Sequence, residues 1–355
     1  MFPSFPIALI ALIISIFALI KGSDLFLNAA SKIAKHFGTT EFFIGLTLVA
    51  ISTSLPELAT SITATFAKHP GIIMGNIIGS NIANIGLVLG LTLVFTTIFV
   101  KKYEYEKIFI MLLSILLFSL FATDLQISRF EAVILFGAFL LYFGSIFKVR
   151  DRIRDFRKYF FTMLELRGLL SLQRIKEIKQ EKDHLKKGQR LKKRLAREAF
   201  LYELVREFAV LVFGLVLIVL GAKFTVESAV DIALFMHISE TVVATVFIAV
   251  GTSLPELFVS ITGIIKGYKK MILGNLIGSN VFNTLAIIGF VGILKPITFN
   301  SITLKFLIPA MLVFSFLLYI FLKKSHKLEK IEGITLFVLY ASFLAVLFLT
   351  SIAVG

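Results

Sequence analysis

The chain has 355 residues, a formal net charge of +15 and 57% hydrophobic residues, among them 38 phenylalanines. Its mean hydropathy of +0.93 is too high for a soluble globular domain, and the absence of cysteine excludes disulfides and thiolate metal sites. Apolar stretches of about 20 residues recur along the whole length, which predicts an all-α polytopic membrane protein.

Ten of these apolar stretches are long enough to cross a bilayer. The first five are 5–21, 42–66, 72–98, 106–122 and 131–147. The last five are 207–222, 241–265, 271–294, 304–322 and 333–352. A charged segment separates the two sets, so we divide the chain into a first half (1–147), a basic loop (148–206) and a second half (207–355). Because each half has an odd number of predicted helices, we expect ten transmembrane helices as two inverted-topology five-helix repeats.

Basic residues predict the orientation in the membrane. The basic loop holds 19 lysines and arginines against eight acidic residues. Lys101, Lys102 and Lys107 fall on the same side of the predicted membrane, whereas the opposite side holds only scattered basic residues. Since basic loops stay in the cytoplasm, we expect the basic loop inside and both termini outside.

The basic loop has two possible roles. A polybasic stretch beside a spanning helix attracts anionic lipids, at about 1 kcal/mol per basic residue near the surface. It is equally explained as a solvated linker that fixes topology. Nucleic acid is not an expected partner, because no aromatic residue interrupts the loop between Phe161 and Phe200.

One polar motif occurs twice in this apolar chain. Residues 50–90 match residues 249–289 at 19 of 41 positions without a gap. Each copy contains Ser-Leu-Pro-Glu and, further on, Gly-Asn-x-x-Gly-Ser-Asn-x-x-Asn. Polar and acidic residues at membrane depth indicate a functional site by default.

The motif predicts broken helices around a cavity. Pro56 and Pro255 each remove an intrahelical hydrogen bond and favour a break just before the glutamate. Broken backbone at membrane depth is tolerated only where it lines a cavity or is buried in protein. Inverted repeats that are interrupted at equivalent places are typical of secondary transporters, whose site lies near the midplane between the repeats.

The doubled motif supplies oxygen ligands. A carboxylate near the bilayer centre costs about 2.5 to 3.5 kcal/mol unless it is partnered, and no lysine or arginine lies in these segments to pair with Glu57 or Glu256. Hydroxyls, amides and freed carbonyls surround the two glutamates in sequence, at Thr53, Ser54, Ser80, Asn84, Thr252, Ser253, Ser279, Asn283, Ala50 and Ala249. Such a ligand set favours a hard cation, Ca²⁺ or Na⁺, over zinc or copper. The two formal negative charges match one Ca²⁺ or two Na⁺.

The two stretches resemble the paired alpha repeats of the calcium/cation antiporter superfamily, in particular the sodium/calcium exchangers and their prokaryotic relatives. The resemblance covers essentially everything except residues 148–206. It implies a multi-pass protein of the prokaryotic plasma (inner) membrane, with ten helices in two inverted repeats. It also implies that Glu57 and Glu256 are shared ligands for Ca²⁺ and Na⁺, completed by the hydroxyls and carbonyls named above, with Asn84 and Asn283 lining the centre.

The motif departs from this family's pattern at two positions. Ser52 stands where the motif usually has glycine, as Gly251 does in the second copy. Asn283 stands where some relatives have aspartate, which removes one titratable group. We therefore expect weaker proton coupling, and the pattern disfavours potassium co-transport.

The expected function is exchange of Ca²⁺ for Na⁺ by alternating access. Exchange of H⁺ for Ca²⁺ or another cation, and more remotely a cation channel, stay open as alternatives. The first helices of the two halves align Gly22 with Gly221, and they either slide across the core during transport or form a plain packing interface. No histidine is placed to serve as a base for Ser54 or Ser253, so we expect neither an enzyme nor a cofactor, and a monomer is compatible with the sequence.

Overall fold

The structure is a computed structural model that describes residues 4–67, 69–148, 185–236, 251 and 253–354. Within these ranges the α-helices are α1 (Phe5–His36), α2 (Glu41–Ile44), α3 (Ala50–Thr53), α4 (Leu55–Phe66), α5 (Pro70–Ala83), α6 (Gly90–Phe95), α7 (Lys102–Phe121), α8 (Arg129–Lys148), α9 (Leu185–Phe235), α10 (Leu254–Ile265), α11 (Lys269–Val281), α12 (Ile288–Leu294), α13 (Ile308–Ser325) and α14 (Lys330–Val354). Segments of π-helix are π1 (Gly45–Val49), π2 (Asn84–Leu89), π3 (Phe282–Ile287) and π4 (Thr303–Leu307), and a 3₁₀ turn spans Ala122–Asp124. The strands are β1 (Ile98–Phe99), β2 (Gln126–Ile127), β3 (Ile297–Thr298) and β4 (Lys327–Leu328).

The described part of the chain contains nine helical segments that are long and apolar enough to cross a membrane. They are Phe5–His36, Glu41–Phe66, Pro70–Phe95, Lys102–Asp124, Arg129–Ile146, Phe200–Ile232, Lys269–Leu294, Thr303–Lys324 and Lys330–Leu349. They coincide with nine of the ten predicted stretches, and the chain is mostly helical as expected. The tenth stretch, 241–265, is described only in part, as the shorter apolar helix α10, because 241–250 and 252 lie outside the described residues.

Two helices extend further than their apolar stretches. Helix α1 has 32 residues, about 48 Å at 1.5 Å per residue, although its apolar stretch ends at 21. Helix α9 is described from Leu185 and runs through the point between 206 and 207 where we divided the loop from the second half. The polar residues that end the apolar stretches therefore do not end these helices.

Two short antiparallel strand pairs join the halves. β1 pairs with β4, and β2 pairs with β3. Each pair is extended by a backbone hydrogen bond, from Val100 N to His326 O at 2.8 Å and from Phe299 N to Leu125 O at 3.0 Å. Because β1 and β3 occupy equivalent positions in the two halves, exchanging the halves converts one strand pair into the other.

Helices α1 and α9 pack along each other through small residues. A Cβ added to Gly22 would lie 2.9 Å from the Gly214 carbonyl oxygen, and one added to Gly221 would lie 3.0 Å from the Ser15 carbonyl oxygen. The Thr225 hydroxyl donates to the Ser15 hydroxyl at 2.9 Å. The two backbones are therefore in direct contact across the interface.

Glycines also bring α11 against the first half of the chain. A Cβ on Gly274 would lie 2.8 Å from the Leu46 nitrogen, and one on Gly278 would lie 2.6 Å from the Ala50 Cβ. Any larger residue would push α11 away from π1 and α3. This contact places the motif residues of α11 beside those of α3.

Candidate cation-binding site

A proline lies just before each glutamate, in the first turn of α4 and of α10. Ser54 separates α3 from α4 and has φ −87° and ψ 6°, and Ser253 precedes α10 with φ −91° and ψ 4°. Pro56 and Pro255 lie in the first turns that follow and have no N–H to continue the hydrogen bonds of the preceding turn. The break predicted before Glu57 is thus present, and Ser253 has the same backbone conformation.

Segments of π-helix begin at or one residue before the last asparagine of each motif. π2 starts at Asn84, and π3 starts at Phe282, one residue before Asn283. A π-helical turn accommodates an extra residue and often marks a functional site. π3 packs against α4, whereas π2 packs against α10. Each asparagine therefore lies near the helix that carries the glutamate of the opposite half.

Glu57 and Glu256 are both buried, with exposed fractions of 0% and 1%, and lie close enough to interact electrostatically. The Ser80 hydroxyl donates to Glu57 Oε1 at 3.2 Å. Among the residues that the structure describes, Glu57 Oε2 and both oxygens of Glu256 have no hydrogen-bond partner. The Thr53 hydroxyl lies near Glu256, yet it donates to Asn275 Oδ1 at 3.1 Å.

This arrangement is unfavourable unless something neutralises it. A buried carboxylate without a partner carries a large desolvation penalty, and a second one nearby adds repulsion. The described residues contain no group of three or more histidine or acidic side chains that could hold a metal. Two carboxylates with neutral oxygens beside them are the donor set of a hard cation.

The two halves meet at Ala50. Its carbonyl accepts from the Ser279 hydroxyl at 3.4 Å, and it lies 3.4 Å from the Thr53 hydroxyl, which shares its one proton with the shorter hydrogen bond to Asn275 Oδ1. Both hydrogen bonds are long and therefore weak. The hydroxyl oxygens of Ser54 and Ser253 are buried and have no partner among the described residues. Oxygen atoms of both halves thus meet at the Ala50 carbonyl.

The predicted central asparagines lie in a buried cluster of four, Asn81, Asn84, Asn280 and Asn283, which we call the asparagine cluster. Asn84 Nδ2 donates to Asn280 Oδ1 at 3.0 Å, and Asn283 Nδ2 donates to Asn81 Oδ1 at 3.2 Å. The Oδ1 atoms of Asn84 and Asn283 are buried without a partner in the described part of the chain. Each amide therefore binds the other half through nitrogen and leaves its oxygen available.

The structure places ten of the twelve predicted site residues, and all ten are buried. They are Ala50, Thr53, Ser54, Glu57, Ser80, Asn84, Ser253, Glu256, Ser279 and Asn283. The other two, Ala249 and Thr252, lie outside the described residues.

Sequence reasoning missed the residues that hold the site together. Asn76 Nδ2 donates to the Glu57 carbonyl at 3.0 Å and to the Ser61 hydroxyl at 3.1 Å. Its equivalent, Asn275, instead accepts from Thr53 of the other half. The signal was present, because these asparagines and those of the asparagine cluster recur in both copies of the motif.

Comparison with known proteins identifies a family that matches both halves of the chain. A family model described as sodium/calcium exchanger protein matches residues 7–148 and 206–349. The sodium/calcium exchanger MaX1 of Methanosarcina acetivorans is 36% identical over 354 residues, which cover 95% of this chain and 97% of MaX1. The putative antiporter CaxA of Alkalimonas amylolytica is 29% identical, over 96% of this chain and 99% of CaxA.

A solved structure has the same architecture. The sodium-calcium exchanger NCX_Mj, soaked with 2.5 mM Na⁺ and 0.1 mM Ca²⁺, superposes with a TM-score of 0.74 at 29% identity, over 95% of this chain and 97% of that chain. The match extends over both halves and the apolar helices that span a membrane. This chain is an integral multi-pass membrane protein and belongs to the family of sodium/calcium exchanger proteins.

Proposed function

We propose that the chain is a secondary active antiporter that exchanges Ca²⁺ for Na⁺ by alternating access. The observation that carries the proposal is the pair of buried glutamates, of which three oxygens have no partner among the described residues. Exchange of these two ions is what the names of its relatives MaX1 and NCX_Mj state. The missing partner of Glu57 and Glu256 is then the transported cation.

The charge of the two glutamates explains why the site would exchange Ca²⁺ for Na⁺ rather than conduct either ion as a channel does. Two carboxylates are neutralised by one Ca²⁺ or by two Na⁺, so the two ions exclude each other. With the site empty, two bare charges would have to be carried through the membrane interior, which is strongly unfavourable. The protein would therefore change conformation only when loaded, and this is the requirement for coupled antiport.

The proposed ligands come from both halves. They are Glu57, Glu256, the hydroxyls of Thr53, Ser54, Ser80, Thr252, Ser253 and Ser279, the carbonyls of Ala50 and Ala249, and the amide oxygens of Asn84 and Asn283. The weak contacts of Thr53 and Ser279 with the Ala50 carbonyl support this role, because hydrogen bonds with 3.4 Å between the oxygens are weak enough for a cation to replace them.

We propose that 1–147 and 207–355 form two inverted five-helix repeats, ten transmembrane helices in all. The strand pairs support this arrangement, because each takes one strand from either half and exchange of the halves converts one pair into the other. A two-fold axis in the membrane plane would place the two strand pairs on opposite faces.

We propose that both termini lie outside the plasma (inner) membrane of a prokaryotic cell and that the basic loop lies inside. Lys270 Nζ donates to the Phe99 carbonyl, and β1 pairs with Lys327, so lysines distant in sequence gather at one end of the molecule. A lysine-rich end faces the cytoplasm by the positive-inside rule. The basic loop at that face would contact anionic lipids.

The proposal includes no catalytic group and no resident cofactor. Ca²⁺ and Na⁺ are substrates, and the relatives named above are exchangers and a putative antiporter. One copy of the chain supplies every proposed ligand, so a monomer is sufficient.

Uptake of ⁴⁵Ca²⁺ into proteoliposomes under separately imposed gradients tests the proposal. We expect rapid uptake when Na⁺ is trapped inside and diluted outside, and no uptake above protein-free liposomes when Na⁺ is equal on both sides. K⁺ and pH gradients imposed without Na⁺ should give none.

Each alternative has its own result in the same experiment. Uptake that a pH gradient drives without Na⁺ would replace Na⁺ by H⁺ as the counter-ion. Uptake that needs no counter-ion and does not saturate would indicate a channel and overturn the antiport proposal.

A further inference from the structure

Thr284 lies next to the asparagine cluster and has only one proton to donate. Its hydroxyl donates that proton to the Asn280 carbonyl at 2.8 Å, one turn back in the same helix. The lone pairs of the Thr284 oxygen are therefore all that it can offer to a second partner. That partner is Asn81, whose Nδ2 lies 2.8 Å away and donates to it.

Because the Thr284 hydroxyl can only accept from a second partner, it determines how the Asn81 amide is oriented. With Nδ2 turned to Thr284, Asn81 presents Oδ1 on its other side. This oxygen can only accept, and it accepts from Asn283 Nδ2 at 3.2 Å. Asn283 in turn is left with its own Oδ1 buried and without a partner among the described residues. Three successive hydrogen bonds thus decide that Asn283 leaves its oxygen available, and not its NH₂ group.

The first half of the chain has no such hydroxyl. Ile85 stands where the second half has Thr284. Asn280, the equivalent of Asn81, donates to the Asn81 carbonyl at a longer distance of 3.4 Å and lies 3.6 Å from Met111 Sδ. The repeated asparagines are therefore common to both halves, whereas the hydroxyl that fixes their direction occurs in the second half alone.

We propose that Thr284 is a positioning residue that holds the Asn283 amide with its oxygen toward the transported cation. The inference rests on the proposed function, since it assigns a role within that site. A cation is attracted by an amide oxygen and repelled by an amide NH₂, and the two orientations fill the same volume. The hydroxyl at 284 supplies the difference between them.

Thr284→Val removes the hydroxyl and keeps the shape. The amide groups of Asn81 and Asn283 can then both rotate by about half a turn. In a fraction of molecules, Asn283 then presents its NH₂ group to the cation instead of its oxygen. We expect the half-saturating Ca²⁺ concentration to rise roughly fivefold, the factor that corresponds to about one hydrogen bond, with a smaller change in maximal rate. Thr284→Ser keeps the hydroxyl and should restore the wild-type value.

A carboxylate at position 283 separates positioning from packing. A carboxylate presents oxygen in either orientation, so in the Asn283→Asp variant the atom that faces the cation no longer depends on the direction of the Asn81 amide. We expect Thr284→Val to raise the half-saturating Ca²⁺ concentration in the otherwise wild-type protein. In the Asn283→Asp background, the same substitution should change that concentration by less than about twofold relative to Asn283→Asp alone. A residue that merely packs would produce the same factor in both backgrounds.

The measurement is ⁴⁵Ca²⁺ uptake against Ca²⁺ concentration in proteoliposomes, with the thermal midpoint of each ion-free variant in detergent. Thr284→Ala serves in place of valine if the valine variant does not fold. The inference is overturned if valine and serine behave alike, or if valine acts equally in both backgrounds. If Asn283→Asp is inactive, the test is the difference in half-saturating Ca²⁺ concentration between Thr284→Val and Thr284→Ser, provided that their thermal midpoints are equal. A higher value in Thr284→Val supports the inference, and equal values overturn it. A wild-type protein without Na⁺-driven uptake would instead overturn the proposed function, whatever the behaviour of Thr284.

Discussion

Two kinds of buried glutamate distinguish this protein at the residue scale. Glu104 is fully buried and well partnered, for it accepts from Lys270 Nζ at 2.5 Å, from the Lys101 backbone at 2.8 Å and from the Tyr103 hydroxyl at 3.2 Å. Glu57 and Glu256 are equally buried and lack any such cation among the described residues. The fold can thus neutralise a buried carboxylate with its own side chains, but no described side chain does so for Glu57 Oε2 or for Glu256.

The Glu104 pair predicts a loss of stability when its cation is removed. Lys270→Met should lower the free energy of unfolding by about 1 to 3 kcal/mol, because Glu104 stays buried and keeps only its two other donors. The pair also ties the start of α11 to α7. Thermal unfolding in detergent, in the absence of added Ca²⁺, measures the change.

Lys266→Met is the matched control for that variant. Lys266 pairs with Asp24 at the same 2.5 Å, but the Asp24 side chain is 40% exposed. Water can replace the lysine there, so the loss should stay below about 1 kcal/mol. Equal losses in the two variants would show that burial of Glu104 contributes nothing.

At the scale of elements, the contact between α1 and α9 is set by glycine. An added Cβ on Gly22 would meet the carbonyl oxygen of Gly214 and the nitrogen of Ile218, both at 2.9 Å, and neither backbone atom can move alone. Close packing of this kind was foreseen as one of two explanations for the small residues. The direct backbone contact establishes packing in this conformation, and sliding remains part of the proposed alternating access.

Gly22→Ala should therefore separate the two helices. We expect a destabilisation of about 1 to 3 kcal/mol from overpacking, although alanine is by itself the better helix former. In Gly144→Ala, on α8, the new methyl group meets nothing within 4 Å. That control should be neutral or more stable by up to about 1 kcal/mol. Comparison of the two thermal midpoints gives the answer, and a stabilised Gly22→Ala protein would contradict the described contact.

At the scale of the whole molecule, hydropathy was enough to locate nine of the spans that the structure describes. Proline in the motif was enough to locate the break before Glu57. The π-helical segments were not foreseen, because an extra residue in a turn leaves no mark in a single sequence. The ends of α1 and α9 were missed for another reason: polar residues such as Asp24 end an apolar stretch but are accommodated in a helix by partners from distant elements.

The sequence was enough to predict which residues form the candidate site, but not how they hydrogen-bond to one another. Duplication of the motif identified Glu57 and Glu256 and their oxygen-bearing neighbours. The role that we propose for Thr284 could not be inferred from the sequence, since Ile85 at the equivalent position breaks the repeat there. The direction of each amide depends on which atoms meet across the two halves, and only the folded chain shows that.

The central claim is that Glu57 and Glu256 together hold the exchanged ions. Na⁺-gradient-driven ⁴⁵Ca²⁺ uptake into proteoliposomes, compared among wild type, Glu57→Gln, Glu256→Gln and Glu329→Gln, tests it most directly. Glu329 pairs with Lys327 at 2.8 Å and its side chain is 43% exposed, so it controls for loss of a carboxylate elsewhere. We expect uptake to be abolished in both site variants and retained in Glu329→Gln. Thermal unfolding should show that all four proteins are folded. Full uptake in either Glu57→Gln or Glu256→Gln would contradict the account.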